Sequence, residues 1–181
     1  MIFEPLPLMG CYKIVPELVA DARGAFARTF CPREFASHGL AQVWLQGNLS
    51  VSTLRGTLRG MHFQRGTPQE AKLIRCVSGA AFDVLVDLRA GSPSFGKWCG
   101  LEISAENRTM VYCAPGCAHG FQTLAPNTEL NYLHSAEYAP GQEGGVHHGD
   151  PQLGIPWPLP IAALSDRDNS LPALKDVVPY S

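Results

Sequence analysis

The segment Arg59-Gly60-Met61-His62-Phe63-Gln64, read with Lys72 and Gly79, has the spacing of a β-barrel metal site but lacks the ligands. Such a site takes His-x-His, an acid roughly eight residues on and a glycine about seven beyond it, with imidazole and carboxylate as donors. Here His62 stands in the first ligand place, Gln64 in the second and Lys72 in the acid's place, with Gly79 on schedule. An amide and an ammonium are poor transition-metal ligands. What remains is a base, His62, beside a fixed positive charge, Lys72. That pair suits proton abstraction next to a carbonyl, where the new negative charge on oxygen requires a cation.

Other side chains fit the same chemistry. Lys72 opens a strand whose same-face neighbours are Ile74 and Cys76, so alternation aims its ammonium at an apolar interior. That placement implies a negative partner, a ligand anion or an end-of-barrel position; the plain alternative is a strand-end lysine snorkelling to solvent. Arg59 and His62 would face opposite sides of a regular strand, unless Gly60 marks a bulge that re-aims one of them. Gly116-Cys117-Ala118-His119 has the Gly-x-x-His form of a second barrel motif, with no acid nearby in sequence. Tyr132, in Leu130-Asn131-Tyr132-Leu133, is either core packing with its hydroxyl at the rim or a phenol able to protonate a carbanion from the face opposite a histidine. Tyr138 lies in a loop and offers a stacking surface for a planar ring. Leu164-Ser165-Asp166-Arg167-Asp168 supplies two carboxylates, either as an acidic first helical turn or with one of them orienting the imidazole.

The elements that must hold these groups read as strands. Gly and Pro number 18 and 15 and punctuate the chain at short intervals, which favours short strands over long helices. Strand-like runs occupy 43–50, 71–78, 81–88, 97–103, 108–113, 119–124 and 130–135. In the third, Phe82, Val84, Val86 and Leu88 face one way and Asp83 and Asp87 the other, as in a strand with one buried face. About eight strands joined by tight turns predict an all-β antiparallel jelly-roll barrel. Short helices are expected at Pro32–His38, with Pro at its start, and after Ser165 as a cap. Residues 141–160 read as an ordered loop over the barrel, because Ile155 and Trp157 need burial.

The 181 residues suffice for one domain, 1–181, with an N-terminal arm to about residue 40 and a C-terminal loop and helix over 141–181. A net charge of −2 gives no global field to attract nucleic acid or a membrane surface. No apolar run approaches the roughly 18 residues of a membrane-spanning helix, and Met1-Ile2-Phe3-Glu4-Pro5 does not read as a signal peptide. The six cysteines show no CxxC spacing, so they are expected to be reduced thiols of a cytoplasmic protein, and no zinc site is expected.

Several stretches, in order and at matching spacing, carry a family likeness. They are 21–26 (DARGAF), 46–50 (QGNLS), 58–64 (LRGMHFQ), 72–76 (KLIRC), 82–89 (FDVLVDLR), 92–98 (SPSFGKW), 101–107 (LEISAEN), 116–121 (GCAHGF), Asp150-Pro151 and 164–168 (LSDRD). From about Phe3 to Pro172 the chain resembles the dTDP-4-dehydrorhamnose 3,5-epimerase family, a metal-free branch of the cupins. The resemblance implies a cofactor-independent homodimer acting on a nucleotide-linked 4-keto-6-deoxy sugar. It implies that His62 removes a proton, Asp168 pairs with the imidazole, Lys72 stabilises the enolate and Tyr132 returns a proton from the opposite face. It implies Arg59 and His119 at the diphosphate and sugar, and Gln46, Asn48, Glu143 and Arg167 as further contacts. Tyr138 would stack on the base. Arg23 and Phe26 match an arm that reaches the partner's site in the dimer.

The chain also departs from the family. Arg28 stands where the family commonly has a glutamate that helps hold the nucleotide base. Cys117 stands in place of Phe, Ala114 in place of Pro, and His147-His148-Gly149 in place of a stretch with Trp and acidic residues. None touches the acid–base set. Arg28 leaves open a CDP- or GDP-linked sugar, a heptose included, and inversion of C3 or C5 alone. A non-catalytic nucleotide-sugar-binding barrel needs neither His62 nor Tyr132. A metal-dependent oxygenase is disfavoured by Gln64 and Lys72.

Overall fold

The computed structural model describes residues 1–181 and consists of two facing antiparallel sheets, a jelly roll. One sheet has six strands in the order β1 (Ile2–Pro5), β2 (Tyr12–Val15), β10 (Met110–Cys113), β7 (Lys72–Ser78), β12 (Thr128–His134) and β5 (Gln46–Ser52). The other has five, in the order β13 (Glu143–Gly145), β6 (Leu58–Gln64), β11 (Cys117–Thr123), β8 (Ala80–Asp87) and β9 (Trp98–Ser104). A separate hairpin pairs β3 (Leu18–Asp21) with β4 (Gly24–Ala27) and joins neither sheet. The helices are α1 (Pro32–Ala36), with Pro at its first turn, and α2 (Asp166–Asn169). The expected all-β architecture is present. The strands of the N-terminal arm, β1 to β4, were not read from sequence, because their four-residue runs carry little periodic signal.

Between the sheets lies a core that includes Ile14, Ile74, Cys76, Leu85, Ile103, Met110, Phe121 and Leu130. A second apolar layer lies on the outer face of the five-stranded sheet. There Met61, Phe63, Val84, Val86, Leu88 and Ala118 pack under Val146, Leu153, Ile155, Leu174, Val177 and Tyr180 of the C-terminal segment. The Trp98 indole N–H donates to the Leu153 carbonyl at 2.8 Å and the Trp157 indole to that of His148 at 3.0 Å, pinning this cover.

The cover corrects the expectation for β8, which is buried on both faces. Val84 and Val86 meet the cover, while Asp83 and Asp87 are fully buried on the other side. Asp87 is fully satisfied, whereas Asp83 has a partner on Oδ1 alone and its Oδ2 is buried without one. Asp87 accepts from the Arg89 guanidinium and from the Ser92 and Ser94 hydroxyls. Asp83 contacts His119. Burial of a carboxylate requires such partners. All six cysteines are free thiols, five of them buried.

Candidate active site

The two sheets enclose a cavity of about 430 Å³. β6 and β11 line one wall, with Arg59, His62, His119 and Phe121. β12, β7 and β5 line the other, with Tyr132, His134, Lys72, Asn48 and Ser50. Groups on opposite sheets therefore address opposite faces of anything between them.

On the first wall, His119 of β11 is register partner to His62, and Phe121 to Arg59. Between those pairs one residue of β11, Gly120, opposes two of β6, Gly60 and Met61, which is a bulge. The bulge turns Arg59 and His62, three positions apart, to the same side, as the glycine suggested. Gly60 has φ +117°, and a Cβ there would stand 2.5 Å from the Cα of Gly120. Only glycine fits that close approach.

The His62 imidazole Nε2 lies 2.7 Å from Asp168 Oδ1, and the Gly60 N–H donates to Asp168 Oδ2 at 2.9 Å. Asp168 sits on α2, whose backbone N–H at Asp168 donates to the Ser165 side chain at 3.1 Å. Ser165 thus caps the turn that presents the carboxylate. Burial opposes ionisation of Asp168, but His62 and the Gly60 N–H outweigh it and hold the carboxyl below its usual range. Of the two candidate carboxylates, Asp168 is the buried one and Asp166 is exposed.

On the second wall, Tyr132 stands edge-on to His119, with ring centroids 5.7 Å apart, and stacks on His134 at 6.1 Å. Burial, reinforced by the charge of Asp83, pushes its phenol well above the ordinary value, so it is protonated at neutral pH. Lys72 does point inward. The negative partner its position implied is Glu70, at 2.8 Å. Burial would raise the Glu70 carboxyl, but the contacts with His134 and Lys72 more than offset it and hold it at about 2.

Gln64, in the place of a second metal ligand, spends both ends of its amide on the backbone. It donates to the Glu137 carbonyl and accepts from the Ala139 N–H, both at 2.9 Å. It thereby fixes the segment carrying Tyr138, which is 56% exposed at the cavity mouth. The Tyr138 hydroxyl donates to Glu143, and Arg167 lies 4.0 Å from the same carboxylate. Gln46 bonds Asn48 and the Tyr138 N–H.

The structure thus brings together around one cavity His62, Asp168, Lys72, Tyr132, Arg59, His119, Asn48, Tyr138, Glu143 and Arg167, with Gln46 behind them. Arg23 and Phe26 are elsewhere. They sit on the β3–β4 hairpin, the Arg23 side chain paired with Asp21 and Phe26 76% exposed. Arg28 pairs with Glu34 at 2.7 Å, also outside the cavity. Sequence reading missed Asp83, Glu70 and His134. Glu70 was within reach, two residues before an inward-pointing lysine on the same side of the chain. Asp83 and His119 are 36 residues apart, and only pairing of β8 with β11 joins them.

Comparison with known proteins identifies the family. The sequence profile of a family described as dTDP-4-dehydrorhamnose 3,5-epimerase matches residues 5–176. A dTDP-4-dehydrorhamnose 3,5-epimerase of Mycobacterium tuberculosis is 42% identical over 178 residues, covering 95% of this chain and 87% of that one. A dTDP-4-dehydrorhamnose 3-epimerase of Streptomyces niveus is 44% identical over 169 residues, covering 93% and 81%. The crystal structure of NovW, a 4-keto-6-deoxy sugar epimerase from the novobiocin biosynthetic gene cluster of Streptomyces spheroides, superposes with a TM-score of 0.91 at 43% identity, covering 97% of this chain and 88% of NovW. With the profile and both relatives spanning nearly its whole length, the chain belongs to the dTDP-4-dehydrorhamnose 3,5-epimerase family.

Proposed function

We propose that this epimerase inverts C3 and C5 of dTDP-4-dehydro-6-deoxy-D-glucose, giving dTDP-4-dehydro-L-rhamnose. The observation that carries the reading is the placement of a carboxylate-held imidazole on one sheet and a protonated phenol on the other, across one cavity. The C4 ketone acidifies the protons on C3 and C5. His62, oriented by Asp168, removes a proton from one face. The electrons of the broken C–H bond form the C=C bond of the enolate, the carbonyl π pair moves onto O4, and the Lys72 ammonium stabilises the charge there. Tyr132 returns a proton to carbon from the opposite face and inverts the centre. A proton leaves and a proton arrives, so the steps need neither a redox cofactor nor a metal.

Arg59 and His119 serve the diphosphate and sugar, and Asn48, Gln46, Glu143 and Arg167 supply further contacts. Tyr138, exposed at the mouth, stacks on the base. Because Arg23 and Phe26 do not line this chain's own cavity, they act at the cavity of a second copy in a homodimer. The working unit is one domain, and the free thiols support a reducing, cytoplasmic setting.

A second reading is inversion at C3 alone, favoured by the 44% identity to the Streptomyces niveus 3-epimerase. The test is incubation with dTDP-4-dehydro-6-deoxy-D-glucose in deuterated water, followed by NMR at C3 and C5. Exchange at both carbons that vanishes in His62→Ala supports the double inversion. Exchange at C3 alone supports the second reading. No exchange at either carbon overturns both and directs the search to CDP- and GDP-linked sugars.

A further inference from the structure

The mechanism above leaves two buried titratable groups beside Lys72 without a role. Glu70 and His134 both line the cavity, and His134 is 8% exposed. Their placement follows from strand register. β7, β12 and β5 are neighbours, with Lys72 opposite His134 and His134 opposite Gln46. Residues opposite one another in a sheet share a face, so the three side chains form one row across the wall.

An unbroken chain of contacts runs along this row. The Tyr138 N–H donates to Gln46 Oε1 at 2.8 Å, and Gln46 Nε2 donates to Asn48 Oδ1 at 3.0 Å. Asn48 Nδ2 meets His134 Nε2 at 3.2 Å, His134 Nδ1 meets Glu70 Oε1 at 2.8 Å, and Glu70 Oε2 meets the Lys72 ammonium at 2.8 Å. The direction of every bond from Tyr138 to His134 Nε2 is dictated from one end. A backbone N–H can only donate, so it must face the Gln46 oxygen. That leaves the Gln46 NH₂ to donate to the Asn48 oxygen, and the Asn48 NH₂ to face the imidazole. His134 Nε2 must therefore accept, which places the single imidazole proton on Nδ1, donating to the Glu70 carboxylate. Any other state of His134 sets N–H against N–H at Asn48, a conflict that travels back to Tyr138.

We propose that Glu70 and His134 are positioning residues that fix the Lys72 ammonium in the cavity and couple its placement to the segment carrying Tyr138. A planar ring seated on Tyr138 at the mouth is then felt at the cation that meets the enolate. Its His134–Glu70–Lys72 end is buried, where a polar chain holds its geometry best, and its Gln46–Asn48–Tyr138 end is open to solvent. The kinetic part of the inference rests on the role assigned to Lys72 above; the hydrogen-bond part does not.

Two measurements on the full-length protein test it. The first is ¹⁵N NMR of the His134 imidazole without substrate. The expected result is a neutral ring protonated on Nδ1 in the wild type, and a doubly protonated fraction in Gln46→Leu, where Asn48 is free to turn its oxygen to Nε2 while Glu70 still holds the Nδ1 proton. An Nε2-protonated ring in the wild type, or an unchanged spectrum in Gln46→Leu, overturns the relay. The second is turnover of the 4-keto sugar. Glu70→Ala and His134→Ala should each lower kcat about tenfold with KM within about twofold, and the double variant should be no worse than Glu70→Ala. Independent multiplying losses, or a change confined to KM, overturn the coupling. If the wild type turns over none of the sugar, the proposed function fails, and the NMR result still decides the relay.

Discussion

His62 and Tyr132 divide acid–base work between opposite walls, and that division gives a clear expectation for each. In Tyr132→Phe, His62 can still remove and return a proton on its own face, while the opposite face has no donor. Solvent deuterium should enter the recovered substrate, whereas epimerised product falls by about 10²-fold or more, both read in one NMR experiment. Equal loss of exchange and inversion would show that the phenol is not the opposite-face acid. Glu70 makes a second residue-scale prediction, on stability. Its carboxyl is held at about 2 against an ordinary 4.5. A depressed folded-state value stabilises the fold fully above the unfolded value, and that contribution is lost as pH falls through the folded one. Between about pH 4.5 and 2 the wild type should therefore lose stability more steeply than Glu70→Gln in urea titrations. Parallel curves would show that the Lys72 and His134 contacts contribute little.

Two local devices aim the dyad, and each can be removed alone. The bulge at Gly60 turns His62 and Arg59 to one side. In Gly60→Ala the new methyl would lie 2.5 Å from the Cα of Gly120 at φ +117°. We expect a cost of about 1–3 kcal/mol, read as a lower melting temperature, together with loss of turnover because His62 no longer meets Asp168. Ser165 is the second device. Its cap holds the turn of α2 that carries Asp168. Ser165→Ala should cost about 0.5–2 kcal/mol and lower kcat more than it raises KM. A stability loss with kcat unchanged would mean that the carboxylate is placed by His62 and the Gly60 N–H alone.

At the scale of the molecule, the hairpin is the element that nothing in this chain uses. Val19 and Phe26 are 72% and 76% exposed on it, and Leu49 and Val51 are 57% and 49% exposed on β5, the free edge of the six-stranded sheet. Apolar residues at an open edge suit pairing with a second copy. If Arg23 serves the partner's cavity, then mixing Arg23→Ala with His62→Ala subunits gives heterodimers with one intact site. Random reassortment should restore about a quarter of wild-type turnover from two poorly active proteins. No recovery after confirmed subunit exchange would place Arg23 outside the partner's site.

The chemistry was legible in the sequence wherever a side chain's role depends on its own type and its near neighbours. Gly60 marked the bulge, Ser165 marked the cap, and alternation around Lys72 aimed it inward and demanded an anion. Short strands between Gly and Pro turns gave the all-β class. What only the tertiary structure decided were pairings between residues distant in sequence. Asp83 looked solvent-facing because β8 alone cannot reveal the C-terminal segment that buries its other side. Residue types alone left Asp168 as one of two equal carboxylates, singled out only by the family resemblance, and α2 docking against β6 brings it to His62, 106 residues away. His134 had no partner in sequence, since its contacts with Glu70 and Asn48 span 64 and 86 residues and exist only in the register of three strands. Local propensity and periodicity act over a few residues, whereas register and docking are set by burial of whole faces, and a single chain read in order does not contain that sum.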